Sequence, residues 1–245
     1  MAINYTRRQI DDLINEAKSG RNGKMHESIR QDTIYPDTSK TFQDPVFSYF
    51  LIDVSFSMDR CKKAVIEYHP LLFNALRESR ATKEECNFIA QYMFNHEITK
   101  LHDFTLLATN ADMDEVVILD EHNYKPKGGT ALYDTLYYIL DGILKQNEVC
   151  AAEGLAPKFN IGLISDGIDE DSKIPPEIIR EMVGDIREMG LFKMTAVVGL
   201  LGDSYPESSL EETRKTIGFD KTIPCDHNNQ KEIRMAFELL SNSAV

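Results

Sequence analysis

The stretch from Phe47 to Ser57, FSYFLIDVSFS, joins a strand-like apolar run to a cluster of polar side chains and decides the fold. Its first part, Phe47–Val54, is a nearly continuous apolar and aromatic run, with Asp53 close to its end. Such a run is typical of a parallel strand that is buried on both faces. Two later runs, Phe159–Ser165 and Met194–Leu201, have the same character. The sequence therefore predicts a sheet with several fully buried strands.

Segments with helical spacing alternate with these apolar runs. The predicted helices are Lys62–Arg80, Ala131–Lys145, Pro176–Met189, Glu207–Ile217 and Gln230–Ser241. Further strands are predicted at Phe88–Phe94, Ile98–Leu107, Val116–Leu119 and Thr222–Cys225. This alternation predicts an α/β fold with a doubly wound, Rossmann-like, mostly parallel sheet and helices on both faces. Ligands of such folds bind at the carboxyl ends of the strands, where Asp53 and Asp166 are expected.

The residues before Val46 differ in character from those that follow. Thr6–Lys18 has the apolar spacing of a short amphipathic helix, and Ser19–Asp44 is polar and reads as a linker. We therefore predict two parts, an N-terminal helix and extended arm at 1–45 and an α/β domain at 46–245.

Composition excludes several classes of protein. The formal net charge is -13 and the isoelectric point is about 4.9, so binding to nucleic acid or to an anionic membrane surface is disfavoured. The sequence shows no secretory signal and no apolar run of roughly 18 residues, which predicts a cytoplasmic protein. The 4 cysteines are widely spaced without a CxxC pair and are interpreted as reduced thiols.

Three short motifs carry oxygen donors. They are the DxSxS pattern of Asp53, Ser55 and Ser57, the Gly128-Gly129-Thr130 loop, and Ser165-Asp166-Gly167 at the end of a later strand. Together, Asp53, Ser55, Ser57, Thr130 and Asp166 offer two carboxylates and three hydroxyls. Hard divalent cations such as Mg²⁺ prefer such oxygen ligands.

The three motifs, in this order, resemble the metal-ion-dependent adhesion site (MIDAS) of von Willebrand factor type A (vWA) domains. The sequences GGTALYD, from Gly128, and LISDG, from Leu163, are similar to intracellular bacterial members of that family. The resemblance covers about Val46–Leu240 and implies one antiparallel edge strand in the sheet. It also implies that the five oxygen-bearing residues bind Mg²⁺, or Mn²⁺ or Ca²⁺.

The resemblance further implies a binding module and not an enzyme. In this family the metal keeps a free position, which an Asp or Glu side chain of a partner protein fills. Related bacterial cytoplasmic proteins act beside AAA+ ATPases or in stress-response systems. An adaptor role in such a system is therefore the expected function.

Simpler roles exist for several of these residues. Asp53 and the two serines, or Thr130 alone, suit the caps of the helices that follow. Asp134 is expected to support the start of its helix or the residues around the metal. The acidic run Asp169–Asp171 is interpreted as a solvated loop and not as a second metal site.

A hydrolase is the alternative function. Metal held by Asp and Ser is able to activate water, but no general base is evident near the motifs. Gly202-Asp203-Ser204 resembles a GDS hydrolase motif, with His227 as a candidate base. That motif usually lies near the chain start, with an Asp three residues before the His, where this chain has Pro224.

Overall fold

The computed structural model describes residues 44–73, 87–106, 116–201, 207–226 and 228–243. Its strands are β1 Val46–Asp53, β2 Asn87–Phe94, β3 Ile98–Leu106, β4 Lys158–Ser165, β5 Phe192–Leu201 and β6 Lys221–Asp226. Its helices are α1 Lys62–Tyr68, α2 Leu132–Ala152, α3 Pro176–Glu188, α4 Glu207–Ile217 and α5 Gln230–Ser243, and a 3₁₀ helix Phe56–Cys61 precedes α1.

The six strands form one sheet in the order β3-β2-β1-β4-β5-β6. All neighbours pair in parallel except β2 and β3, which are antiparallel, so β3 is the antiparallel edge strand. The predicted α/β fold class is confirmed. Strands β2 and β3 lie on one side of β1 in the sheet, and β4, β5 and β6 lie on the other side. The ends of β1 and β4 are therefore a topological switch point, where doubly wound folds bind ligands.

Successive side chains of β1 enter two different cores. Phe47, Tyr49 and Leu51 pack with the apolar faces of α2, α3 and α4, whereas Phe50 and Ile52 pack with those of α1 and α5. Side chains alternate across a strand, so a run that is apolar at nearly every position is buried on both faces. This explains the continuous apolar run in the sequence and places β1 at the centre of the molecule.

The predicted strand at Val116–Leu119 is wrong, because the segment is irregular. Its polar backbone groups are bonded to side chains and not to a neighbouring strand: Gln91 Nε2 donates to Val117 O, and Leu119 N donates to His69 Nδ1. Burial of Val116 and Leu119 gave the segment the apolar pattern of a strand.

Element bounds differ from the prediction in two further places. The segment after β1 starts as a 3₁₀ helix, and α1 ends at Tyr68, just before Pro70. Helical residues follow at 71–73, and the rest of the predicted helix, 74–80, lies outside the described residues. Helix α2 runs on to Ala152, about two turns beyond the predicted end. None of the helices in the described ranges combines the length and apolar content that a bilayer crossing needs.

Some predictions fall outside the described residues. They are the arm helix Thr6–Lys18, the GDS-like triplet Gly202-Asp203-Ser204, His227 and Cys86. The predicted division at Val46 stays a prediction. The other three cysteines are free and buried, as expected of reduced thiols: Cys61, Cys150 and Cys225.

Candidate functional site

Asp53 and Asp166 lie at the carboxyl ends of two adjacent parallel strands. Asp53 is the last residue of β1, and Asp166 comes directly after β4. Both side chains are buried, with 0% and 1% of the residue exposed. Asp53 accepts hydrogen bonds from the Ser55 backbone N (2.8 Å) and from the Ser165 hydroxyl (2.7 Å). Strand pairing thus places two carboxylates together at the switch point of the sheet.

Burial makes the charge of Asp53 costly. It raises the pKa of Asp53 from 3.8 to about 7, against hydrogen bonds from Ser55 and Ser165 that lower it, and the charge of Asp166 adds to the rise. A buried carboxylate normally needs a cation or several hydrogen bonds to remain ionised. The site therefore holds negative charge that its hydrogen bonds stabilise only in part.

The two serines of the DxSxS motif lie side by side. Their hydroxyl oxygens are 3.1 Å apart, and Ser55 is buried while Ser57 is half-buried. Ser55 is the first residue before the 3₁₀ helix, yet its side chain makes no capping hydrogen bond. The cap interpretation of these serines has no support in the geometry, which leaves their oxygens facing each other.

The loop that carries Thr130 is attached to the DxSxS loop by backbone hydrogen bonds. Lys127 N donates to Val54 O (2.8 Å), and Phe56 N donates to Gly128 O (2.9 Å). Thr130 is 3% exposed, and among the described residues its hydroxyl has no hydrogen-bond partner. Helix α2 begins after Ala131 without a side-chain cap from that residue. The loop of Thr130 is thus held against the loop of the serines, and helix α2 has no side-chain cap at its N-cap residue.

The third loop supplies the cap of α2. Asp169 Oδ1 accepts from Leu132 N (2.8 Å), and Ser172 Oγ accepts from Tyr133 N (2.9 Å). The interpretation of Asp169 as a solvated residue is therefore wrong: burial raises its pKa, while hydrogen bonds from Ser172 and the helix backbone lower it. Its neighbours Glu170 and Asp171 are exposed, as predicted.

Asp134 fastens α2 to this third loop. It is fully buried, and its Oδ1 accepts from Lys173 N (2.9 Å) and Ile174 N (2.8 Å). Glu170 N and Asp171 N also donate to Thr130 O, at 3.0 and 2.9 Å. The predicted supporting role of Asp134 therefore takes the form of a link between two loops of the site.

Three contributors to the site were not predicted from the sequence. Ser165 donates to Asp53, the Tyr124 hydroxyl donates to Asp53 O (2.8 Å), and Arg60 Nη2 lies 3.5 Å from Asp166 Oδ2. The position of Ser165 at the end of the strand before Asp166 is a signal that could have identified it. Nothing local in the sequence marks Tyr124 or Arg60, because their roles depend on contacts that are distant along the chain.

The residues fit a hard divalent cation by their chemistry. Two carboxyl groups are buried together, and the side chain of Arg60, which is 26% exposed, lies at the long distance of 3.5 Å from Asp166. Three hydroxyls add neutral oxygen donors, and the set contains no sulfur or nitrogen. Within the described ranges, no group of three or more His, Cys, Asp or Glu side chains is arranged to hold a metal. A site here would thus depend on hydroxyls as much as on carboxylates.

No protein-family model matches the sequence, and no curated protein matches it. Solved structures with a similar fold include a von Willebrand factor type A protein from Catenulispora acidiphila, with 15% identity and a TM-score of 0.56 over 82% of this chain and 43% of that one. The PilB minor pilin from Streptococcus sanguinis has 15% identity and a TM-score of 0.59, over 82% of this chain and 61% of that one.

A third similar structure is proximal thread matrix protein 1 from the mussel byssus, with a zinc-occupied MIDAS motif. It has 12% identity and a TM-score of 0.52, over 83% of this chain and 48% of that one. This chain thus spans less than two thirds of each of these three structures. At such identities the likeness concerns the fold alone: the chain has a vWA-type fold.

Proposed function

We propose that this chain is a metal-dependent protein-binding module. In this proposal Asp53, Ser55, Ser57, Thr130 and Asp166 hold one Mg²⁺, or Mn²⁺ or Ca²⁺, and an Asp or Glu side chain of a partner protein completes the coordination. The observation that carries the proposal is the pair of buried carboxylates at the switch point of the sheet, only partly compensated by their hydrogen bonds. The zinc-occupied MIDAS of the mussel protein, which has a similar fold, supports it.

The hydrogen bonds suggest different roles for the two carboxylates. Both oxygens of Asp53 already accept a hydrogen bond, from Ser55 N and from Ser165 Oγ. The contacts of Asp166 are longer, at 3.4 Å from Ile168 N and 3.5 Å from Arg60. We expect Asp166 to be the more available of the two, with Asp53 placed by its neighbours. Mg²⁺ usually retains water, so fewer than six protein ligands suffice.

A partner carboxylate suits this site better than a neutral group. The chain as a whole carries a net charge of -13, which repels an acidic partner at long range. A bound divalent cation reverses the sign of the charge locally. An acidic partner would then be attracted only next to the ion, and its binding would require the ion. An adaptor role beside an AAA+ ATPase or in a stress-response system, in a bacterial cytoplasm, belongs to the proposal.

Peptide selection tests this function. A displayed library with Asp or Glu fixed at its centre would be selected on the Mg²⁺-loaded protein and eluted with EDTA. We expect EDTA-sensitive peptides whose binding is lost when the central acid becomes Asn or Gln. We expect Thr130→Ala to lose at least tenfold in peptide affinity, since it removes one neutral ligand.

Glu170→Gln is the matched control, because it alters an exposed carboxylate of the same loops that is not a proposed ligand. Peptides that bind equally well in EDTA, or that tolerate Asn at the centre, would contradict the proposed function. The proposal assigns no reaction to the site. A screen of esterase and phosphatase substrates with and without Mg²⁺ should show no turnover that depends on Asp166.

A further inference from the structure

Phe56 lies between Ser55 and Ser57, two of the proposed ligands, and is 73% exposed. The other exposed large hydrophobic residues in the described ranges are only 40–53% exposed, and none belongs to the loops that carry the proposed ligands: Ile118, Met189, Met235 and Leu239. An aromatic side chain is large, and leaving it in water forgoes the stabilisation that burial would give. A single exposed apolar residue is ordinary on a protein surface, but this one is unusual because it lies between two proposed metal ligands.

The backbone of Phe56 is held in place by the same contacts that hold the candidate site. Phe56 N donates to Gly128 O (2.9 Å), and Met58 N donates to Ser55 O (3.1 Å). The hydroxyls of Ser55 and Ser57, which flank Phe56 in the chain, are 3.1 Å apart. Consecutive Cα atoms are about 3.8 Å apart, which puts the ring at the rim of the site.

The residue whose carbonyl accepts the hydrogen bond from Phe56 N is a glycine. Gly128 is exposed and has a φ of 74°, and a Cβ there would lie 2.5 Å from His96 Nδ1. The half-buried His96 ring therefore packs beneath the Gly128 backbone. We name Phe56, Gly128 and His96 the aromatic rim. Together they place an exposed phenyl ring beside a backbone segment that carries no side chain of its own.

We infer that the aromatic rim selects partners in which an apolar side chain lies within two residues of the acidic residue. The inference rests on the proposed function, because the acidic residue is the one that reaches the metal. In an extended segment, side chains two residues apart point to the same side about 6–7 Å apart. That spacing lets one side chain reach the ion while the other packs on Phe56. Burial of both apolar surfaces then adds affinity that the charges alone do not supply.

The test uses the same displayed library, selected in parallel on the wild type and on Phe56→Ala, both loaded with Mg²⁺. For the wild type we expect apolar residues to be enriched at positions -2 to +2 around the central acid. Phe56→Ala should lose that enrichment and bind the wild-type peptides about tenfold more weakly. Its affinity for Mg²⁺ should change less than twofold, and its melting temperature should stay unchanged because the residue is exposed.

Met235→Ala is the control, since it removes an exposed apolar side chain on α5. It should leave the peptide profile unchanged. Metal-dependent acidic peptides without apolar enrichment, or with the same enrichment on Phe56→Ala, overturn the inference and leave the proposed function standing. A wild-type dimer that Phe56→Ala dissociates also overturns it, because the ring would then serve self-association. A selection that yields no metal-dependent acidic peptide contradicts the proposed function itself.

Discussion

The carboxylate pair of Asp53 and Asp166 contrasts with a second buried polar group, the His69 cluster of His69, Gln91 and His102. His69 and Gln91 are both fully buried. Leu119 N donates to His69 Nδ1 (3.2 Å), so the ring proton lies on Nε2 and is donated to Gln91 Oε1 (2.6 Å). Gln91 Nε2 in turn lies 2.9 Å from His102 Nε2. Both nitrogens of the His69 ring are used by neutral partners.

The two clusters respond to burial in different ways. Burial lowers the pKa of His69 to about 4, so the ring is neutral at ordinary pH. Burial raises the pKa of Asp53 to about 7, so at and above that pH the carboxylate pair holds charge in a buried place. A buried cluster whose polar atoms all have hydrogen-bond partners stabilises the fold. A buried cluster with uncompensated charge is instead stabilised when a ligand of opposite charge binds.

The largest effect on stability is expected from His69→Ala. The change opens a cavity and leaves Leu119 N and Gln91 Oε1 without their partner. We expect the free energy of unfolding to fall by about 3–4 kcal/mol, measured by urea denaturation. The exposed His122 provides the control, and His122→Ala should stay within about 0.5 kcal/mol of the wild type. A loss below about 1 kcal/mol for His69→Ala would remove the contrast.

Acidification should act on the same cluster. The folded-state pKa of His69, about 4, lies below its ordinary value of 6.5, so the unfolded chain takes up the proton first. The neutral ring's contribution to stability is full above pH 6.5 and is lost as pH falls toward 4. The loss is about 3 kcal/mol. The conservative variant His69→Gln should show a smaller fall over this range, and identical pH profiles for the two proteins would contradict the assignment.

Asp53→Asn should change stability in the opposite direction. It keeps the shape of the side chain and removes a buried charge. At pH 8 without metal we therefore expect the free energy of unfolding to rise by about 2 kcal/mol. Asp134→Asn should instead lower stability by about 1 kcal/mol, because Asp134 serves two backbone N–H groups. Metal-free protein should be compared by thermal and urea unfolding. A loss of stability in both variants would show that Asp53 is a structural carboxylate.

The sequence predicted those features that depend on local pattern. The apolar runs identified β1, β4 and β5, and the residues that follow them identified Asp53 and Asp166. It did not predict contacts between distant residues. The segment at 116–119 was taken for a strand because its bonds to His69 and Gln91 are made by side chains. The capping role of Asp169 was missed for a similar reason, since the helix it caps begins 37 residues earlier in the chain.

Calorimetric titration of metal-stripped protein with Mg²⁺ and Mn²⁺ tests the central claim most directly. That claim is that Asp53, Ser55, Ser57, Thr130 and Asp166 hold one divalent ion. We expect uptake of about one ion per chain, an affinity at least tenfold lower in Thr130→Ala with less than about 1 kcal/mol lost in stability, and unchanged uptake in Glu170→Gln. No uptake at millimolar metal, or uptake that Asp53→Ala leaves unchanged, would contradict it.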